Sequence, residues 1–283
     1  MKNKQMAQGI YEQVINEEIK EKLKALDVDK YLIEKESIDV EEAKTVLSNY
    51  ISLVIKKSLR FIRENYKSDD KEEALLSQIK ACNELIESLS KLTKDKGIED
   101  FKIDEEGEML TALYSKINNA RAVKGDKHKS PRPVTPLSQS SLFTGTPLEP
   151  DMMSEIKKEI LSSDAVDLLI SFVKWSGLRC IIDELREFTK DDNHKLRIIT
   201  TSYMGATDYK AIEELSKLKN TDIKISYDTK RTRLHAKAYL FKRETSFTTA
   251  YIGSSNLSNA ALTSGLEWNI NRVLSIRWSF CST

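Results

Sequence analysis

Cysteine is scarce: Cys82, Cys180 and Cys281 are the three in 283 residues, scattered, with no CxxC pair among them. That argues against a disulfide framework and against structural zinc, and it fits a reducing compartment. No apolar run approaches the ~20 residues needed to span a bilayer. The opening MKNKQMAQGIYEQ lacks the apolar stretch of a signal peptide. The expectation is a cytoplasmic protein without a membrane partner. No G-x-x-x-x-G-K-[ST] occurs, which excludes an ATP-binding P-loop motor within these residues. Charge of one sign is not in excess either, the formal net charge being +1. Any nucleic-acid footprint must therefore be a local patch.

Proline is also rare, and all five prolines fall between Pro131 and Pro150, among Ser, Thr and Gly. Proline removes a backbone donor and blocks helix, so 124–150 is expected to be a linker or draped loop. It divides a helical domain, 1–123, from an α/β domain, 151–283. The basic cluster Lys124–Lys129, with His128, reads as solvated.

Before the linker the patterning is helical. A first helix is expected from about Gln5 to Leu26. A second starts near Asp39, where Asp39 and Glu42 have capping-box spacing. Its apolar stripe is Leu47, Ile51, Val54, Ile55, Leu59 and Ile62. A third carries Leu75, Ile79, Cys82, Ile86 and Leu89, a spacing that suits a bundle or a coiled-coil seam. These stripes predict core packing of a small bundle, the sharper reading being a docking surface for a protein partner or a second subunit.

After the linker, strand and helix alternate. Strands are expected at Asp167–Val173, Leu196–Thr201 and Asp222–Tyr227, with helices at Gly177–Phe188 and Tyr209–Leu218 between them. HAKAYLF and FTTAYIG then form a hairpin, followed by a helix at Leu257–Thr263 and a strand at Leu266–Val273. That alternation predicts a layered α/β domain with a mixed sheet. Ligands bind such sheets at strand ends.

The chemistry gathers between Arg231 and Asn269. His235 and Lys237 stand two residues apart on a predicted strand, so both project from one face. An imidazole beside an ammonium suits a phosphodiester: one group attacks or transfers a proton, the other holds the anion. Gly253-Ser254-Ser255-Asn256 follows one hairpin later. Its turn can add backbone N–H groups, hydroxyls and a carboxamide to the same cup. Arg233 shares strand parity with His235 and is a candidate phosphate contact, with Arg231 beside it. No metal or cofactor is called for. Trp175 reads as a core residue or, less readily, as a stacking platform. His194 and His128 lie in polar turns and read as solvated.

His235-x-Lys237 followed by Gly253-Ser254-x-Asn256 resembles the signature of the phospholipase D superfamily. SFVKWSGLR, LRIITTSYMGATD, SYDTKRTRLHAKAYLF and YIGSSNLSNAALTSGLEWN look like the phospholipase D-like module at the front of certain bacterial superfamily II helicases. The likeness runs from about Asp164 to Asn269, and the tail NRVLSIRWSFCST does not continue it.

The resemblance implies a phospholipase D-like α/β/α domain preceded by the helical domain. It implies a metal-independent phosphodiesterase, most simply a nuclease acting on DNA within a helicase-linked processing or defence system. His235 would attack phosphorus and form a phosphohistidine, with Lys237, Asn256 and Ser254 on the non-bridging oxygens and Ser255 and Arg233 near the substrate. Two such motifs face each other in that superfamily, and this chain has one. A homodimer with the site across its two-fold axis is therefore implied. Glu267 stands where single-motif nucleases of the superfamily carry a carboxylate that orients a motif histidine. The superfamily Asp five residues after the lysine is Lys242 here. That departure favours a rival reading, a non-catalytic nucleic-acid-binding or dimerisation module. A lipid phosphodiesterase is the third possibility.

Overall fold

The computed structural model describes residues 6–27, 29–66, 70–114, 131–146, 149–228, 230, 233–263, 265 and 267–275. His128 and the rest of the 124–129 cluster, Arg231 and Cys281 lie outside them. Two compact units are present, Met1–Thr111 and Ala112–Thr283.

The first unit is helical: α1 (Glu17–Lys24), α2 (Ala43–Glu64) and α3 (Lys71–Thr93), with a 3-10 turn at Lys96–Phe101. Asn16 caps α1 by accepting from Ile19 N at 2.9 Å. Glu17 and Glu18 in its first turn and Lys22 and Lys24 in its last complement the helix dipole. The capping box before α2 does not form. Asp39 accepts from Glu41 N instead, and the helix begins after Glu42 without a side-chain cap.

The apolar stripes are less buried than their spacing predicts. Ala74 and Ile79 of α3 are buried, but α2 buries none of its residues, and Leu47, Ile51, Val54, Leu75 and Leu89 are exposed. Two long helices and a short one offer too little mutual surface to cover both stripes.

The second unit is a seven-stranded mixed sheet with flanking helices. Its strands are β1 (Ser141–Phe143), β2 (Ala165–Ile170), β3 (Lys195–Thr201), β4 (Thr221–Ser226), β5 (Lys237–Lys242), β6 (Thr248–Gly253) and β7 (Asn269–Ser275). They lie in the order β1-β7-β6-β5-β2-β3-β4. β2, β3 and β4 are parallel, joined through α5 (Trp175–Phe188) and α6 (Tyr209–Ser216), and the remaining pairs are antiparallel. Val166, Leu168 and Ile170 of β2 and Tyr239 and Phe241 of β5 share the buried face, as period-two alternation requires. They pack with Leu178, Ile181 and Leu185 of α5.

Two elements were not expected. Within the Pro-rich stretch, β1 pairs with β7 and Phe143 enters the core. Val134 N and Thr135 N both donate to the fully buried Glu155 carboxylate at 2.9 Å, so this stretch packs on the sheet unit rather than draping free. Glu155 belongs to α4 (Met152–Leu161), which Asp151 caps and which buries Met152, Met153, Ile156 and Ile160. β7 pairs with β6 as far as Ser275 and with β1 over Asn269–Asn271, although the family-like patterning stops near Asn269. His194 is no solvated turn residue: its ring stacks on Phe188, centroids 4.6 Å apart.

Strand direction sets the position of the site. β5 runs antiparallel to β2, so Lys237 pairs with Ile170, the last residue of β2. β6 returns antiparallel, and Ile252 pairs with Ala238. The ends of β2, β3, β4 and β6 and the start of β5 therefore meet at one edge of the sheet.

Candidate active site

His235 precedes β5 by two residues and is exposed, whereas Lys237 opens the strand and is buried. The strand thus begins later than alternation alone predicts, yet the pair is brought together. Lys237 Nζ lies 3.0 Å from His235 Nε2 and donates to His235 O at 3.2 Å. With Nε2 accepting from the ammonium, the imidazole proton sits on Nδ1. The Phe172 ring meets His235 edge-on, centroids 6.4 Å apart. Burial lowers the Lys237 pKa below the usual lysine range, and the charge of Glu267 partly offsets this.

Asn256 is anchored from the other side. Its Oδ1 accepts from Phe172 N at 3.2 Å, directly beyond β2. That bond leaves Nδ2 as the donor end of the carboxamide, with no acceptor among the described residues. Phe172 therefore touches both motif segments, a role that its sequence neighbourhood did not announce.

The turn leading to Asn256 is held by Trp268 and Asn269. A Cβ on Gly253 would collide with the Trp268 carbonyl oxygen, so only glycine fits there. Ser254 N donates to Trp268 O at 3.0 Å, and Ser254 Oγ accepts from Trp268 N at 3.1 Å. Asn269, buried, donates from Nδ2 to Ser255 Oγ at 2.8 Å and accepts from Ser255 N at 3.4 Å. Leu257 N bonds Phe172 O, and Ser258 N bonds Asn256 O.

Two expectations are corrected here. The backbone amides of 254, 255, 257 and 258 are engaged within the protein and do not form an anion cup. The helix that follows, α7 (Asn259–Thr263), starts too late and is too short to aim amides at the site. Ser255 is fully buried, its hydroxyl donating to Ala261 O, so it braces the turn and does not face a substrate. Ser254 is exposed, with its hydroxyl on the Trp268 backbone.

Glu267 makes no hydrogen bond to His235 among the described residues, but its charge reaches both Lys237 and Tyr239. It also lines a cavity of about 320 Å³ with Asn269, Leu262 and Glu149. The guanidinium of Arg233 lies 5.6 Å from the centroid of the Tyr203 ring. Trp175 is partly buried against the core, with Lys210 Nζ 4.4 Å from its ring centroid, and is not a free platform. Asp208 holds this corner together by accepting from Trp175 N at 2.8 Å and pairing with Lys174. A Cβ on Gly177 would stand 2.5 Å from the Leu257 carbonyl carbon, which is how closely α5 approaches the Asn256 turn.

Lys242 is remote from all of this. It sits at the far end of β5, roughly 16 Å along the strand from Lys237. Among the described residues, no three His, Cys, Asp or Glu side chains are grouped so as to hold a metal ion. No helix there is long and apolar enough to cross a membrane.

Residues 150–271 match the family described as the NgoFVII restriction endonuclease N-terminal PLD domain. This segment has a phospholipase D-like fold. The match spans less than half of the chain and leaves the helical unit outside it. No curated protein matches. Among solved structures, NucT from Helicobacter pylori is 20% identical over 48% of this chain and 86% of its own, with a TM-score of 0.37. Nuc from Salmonella typhimurium, a phospholipase D family member, is 18% identical over 49% and 85%, with a TM-score of 0.36. The yeast tyrosyl-DNA phosphodiesterase is 12% identical over 47% and 31%, with a TM-score of 0.30. Likenesses this distant say nothing about activity.

Proposed function

We propose that the sheet unit is a phosphodiesterase acting on nucleic acid, a DNA nuclease in the first instance, with His235 as its nucleophile. The observation that carries this reading is the pairing of Lys237 Nζ with His235 Nε2 at 3.0 Å, beside an Asn256 whose Oδ1 is tied down. The matched family's description, a restriction endonuclease, supports the choice of nucleic acid.

His235 Nε2 attacks phosphorus, a P–N bond forms and the P–O bond to the leaving group breaks. The departing oxygen takes a proton from the imidazole of a second subunit's His235, across a two-fold axis. That imidazole then takes a proton from water, whose oxygen attacks phosphorus and releases His235. Lys237 and Asn256 Nδ2 hold the non-bridging oxygens and stabilise the charge that develops there, so the mechanism asks for no metal. Phosphate entry draws Lys237 off Nε2 and frees the lone pair. Glu267 serves as the carboxylate that orients an imidazole, and Ser254 assists by giving up its longer bond to Trp268 O. The exposed stripe of α2 offers a docking face for a protein partner, in keeping with a helicase-linked machine.

The experiment is capture of the covalent intermediate. Rapid acid-free quenching with labelled oligonucleotide, followed by mass spectrometry, should find phosphate on the peptide containing His235. An adduct elsewhere, or none during active turnover, removes the mechanism. The rival reading, a non-catalytic binding module, draws on Lys237 capping Nε2 in the resting site. It requires His235→Ala to leave every property but binding unchanged.

A further inference from the structure

We infer that the mouth of the site carries a stacking platform for an unpaired nucleobase, which makes single-stranded nucleic acid the favoured substrate; this rests on the phosphodiesterase reading above. The platform is formed by Tyr203 and Met204, in the loop between β3 and α6, with Tyr227 directly beyond β4. Strand pairing brings the two segments together. Ser202 N donates to Ser226 O at 3.0 Å, and Tyr203 and Tyr227 directly follow these two residues, beyond the ends of β3 and β4.

The loop is built to present its tip. Thr207 Oγ1 donates to Thr201 O at 2.8 Å, Tyr203 N to Thr201 Oγ1 at 3.1 Å, and Gly205 N to Ser202 O at 3.0 Å. Between these ties Met204 adopts φ 58°, ψ 12°, a left-handed conformation costly for an unbranched long side chain. Met204 is 76% exposed and Tyr227 75% exposed. A strained backbone that carries an apolar side chain into solvent, with the exposed Tyr227 ring on the neighbouring segment and Tyr203 half-buried, lacks a packing explanation.

Arg233 supplies the charge. Its guanidinium lies over the Tyr203 ring, and it precedes His235 by two residues, roughly 7 Å of extended chain. An arginine on an aromatic face takes a phosphate while neighbouring rings and a thioether take a base. The faces of paired bases in a duplex are already stacked on one another, so this platform has little to offer them. An unpaired strand presents those faces.

Binding by the His235→Ala protein tests this without turnover. A fluorescent thymidine oligomer and a duplex of equal length would be titrated in EDTA at one fixed salt concentration. The expected result is single-strand affinity at least about tenfold above duplex affinity, reduced on the order of tenfold by Tyr203→Ala or Tyr227→Ala and retained in Tyr227→Phe. Equal affinity for the two forms, or a preference indifferent to both alanine substitutions, overturns the inference. Hydrolysis of bis(p-nitrophenyl) phosphate by wild type separates the two readings. Hydrolysis with no single-strand preference defeats the platform and spares the phosphodiesterase. A tyrosine-dependent preference without hydrolysis does the reverse.

Discussion

Lys242 Nζ lies 2.9 Å from Asp167 Oδ2, at the end of the sheet away from His235. Asp167 also takes two hydrogen bonds from Arg197 on β3. Burial pushes the Asp167 carboxyl up, but Arg197 and Lys242 together bring it below the usual carboxylate range. The lysine that departs from the superfamily pattern is thus one of two cations on a single carboxylate. Lys242→Asp would set two carboxylates side by side. It should lower stability by about 1 kcal/mol, since these groups are partly exposed and screened, and it should not raise activity. Chemical denaturation beside Lys242→Gln measures the first effect. A gain in cleavage by Lys242→Asp would contradict this account.

The same cluster predicts an acid-side effect. A carboxylate with a lowered folded pKa contributes stability above its unfolded pKa, and this is lost as pH falls through the folded value. Asp167→Asn should therefore destabilise the protein at neutral pH and bring its melting temperature toward wild type in acid. Parallel melting curves across the whole range would refute it.

Lys237 predicts an alkaline limb. Its pKa is lowered from the ordinary 10.5 by burial, so the ammonium proposed to hold phosphate is lost at a lower pH than an exposed lysine would lose its proton. Cleavage should decline as pH rises through that lowered value. Lys237→Arg, if it retains activity, should extend the plateau upward. A pH–rate profile with the same alkaline limb in both proteins counts against Lys237 as the phosphate ligand.

Asn269 braces the turn through Ser255. Removing its carboxamide in Asn269→Ala takes away the two bonds it makes to Ser255, leaving only the hydroxyl bond to Ala261 O, and should cost about 1–3 kcal/mol. Because the Gly253–Asn256 turn hangs on that contact, kcat should fall while Asn269→Asp, which keeps an acceptor for Ser255 N, restores part of it. Unchanged kcat with lowered stability would make the residue merely structural.

The shared-site dimer has a kinetic signature. If each site needs His235 from two subunits, co-refolding wild type with inactive His235→Ala should reduce activity as the square of the wild-type fraction. A linear decline would place a whole site in each subunit.

Much of this was legible in the residues. The alternation of strand and helix after the linker announced a mixed sheet, and HAKAYLF and FTTAYIG pair antiparallel as β5 and β6, as expected. What escaped depends on contacts far apart in sequence. Ser255 looks like a ligand in its motif, and only Asn269, fourteen residues on, shows that it faces inward. The warning sign was an amide residue within a predicted strand, where Asn is disfavoured unless it has a partner. α4 carries a plain signal, Met152, Met153, Ile156 and Ile160 behind an Asp cap, that the prolines nearby obscured. The helical stripes misled in the other direction, because spacing reports which residues share a face and not whether anything covers it.

The most direct measurement is cleavage of labelled single- and double-stranded DNA in excess EDTA, with wild type beside His235→Ala. Cleavage that survives EDTA and disappears with the substitution is the predicted result. Cleavage that EDTA stops, or that His235→Ala retains, would contradict a histidine nucleophile held by Lys237 and Asn256.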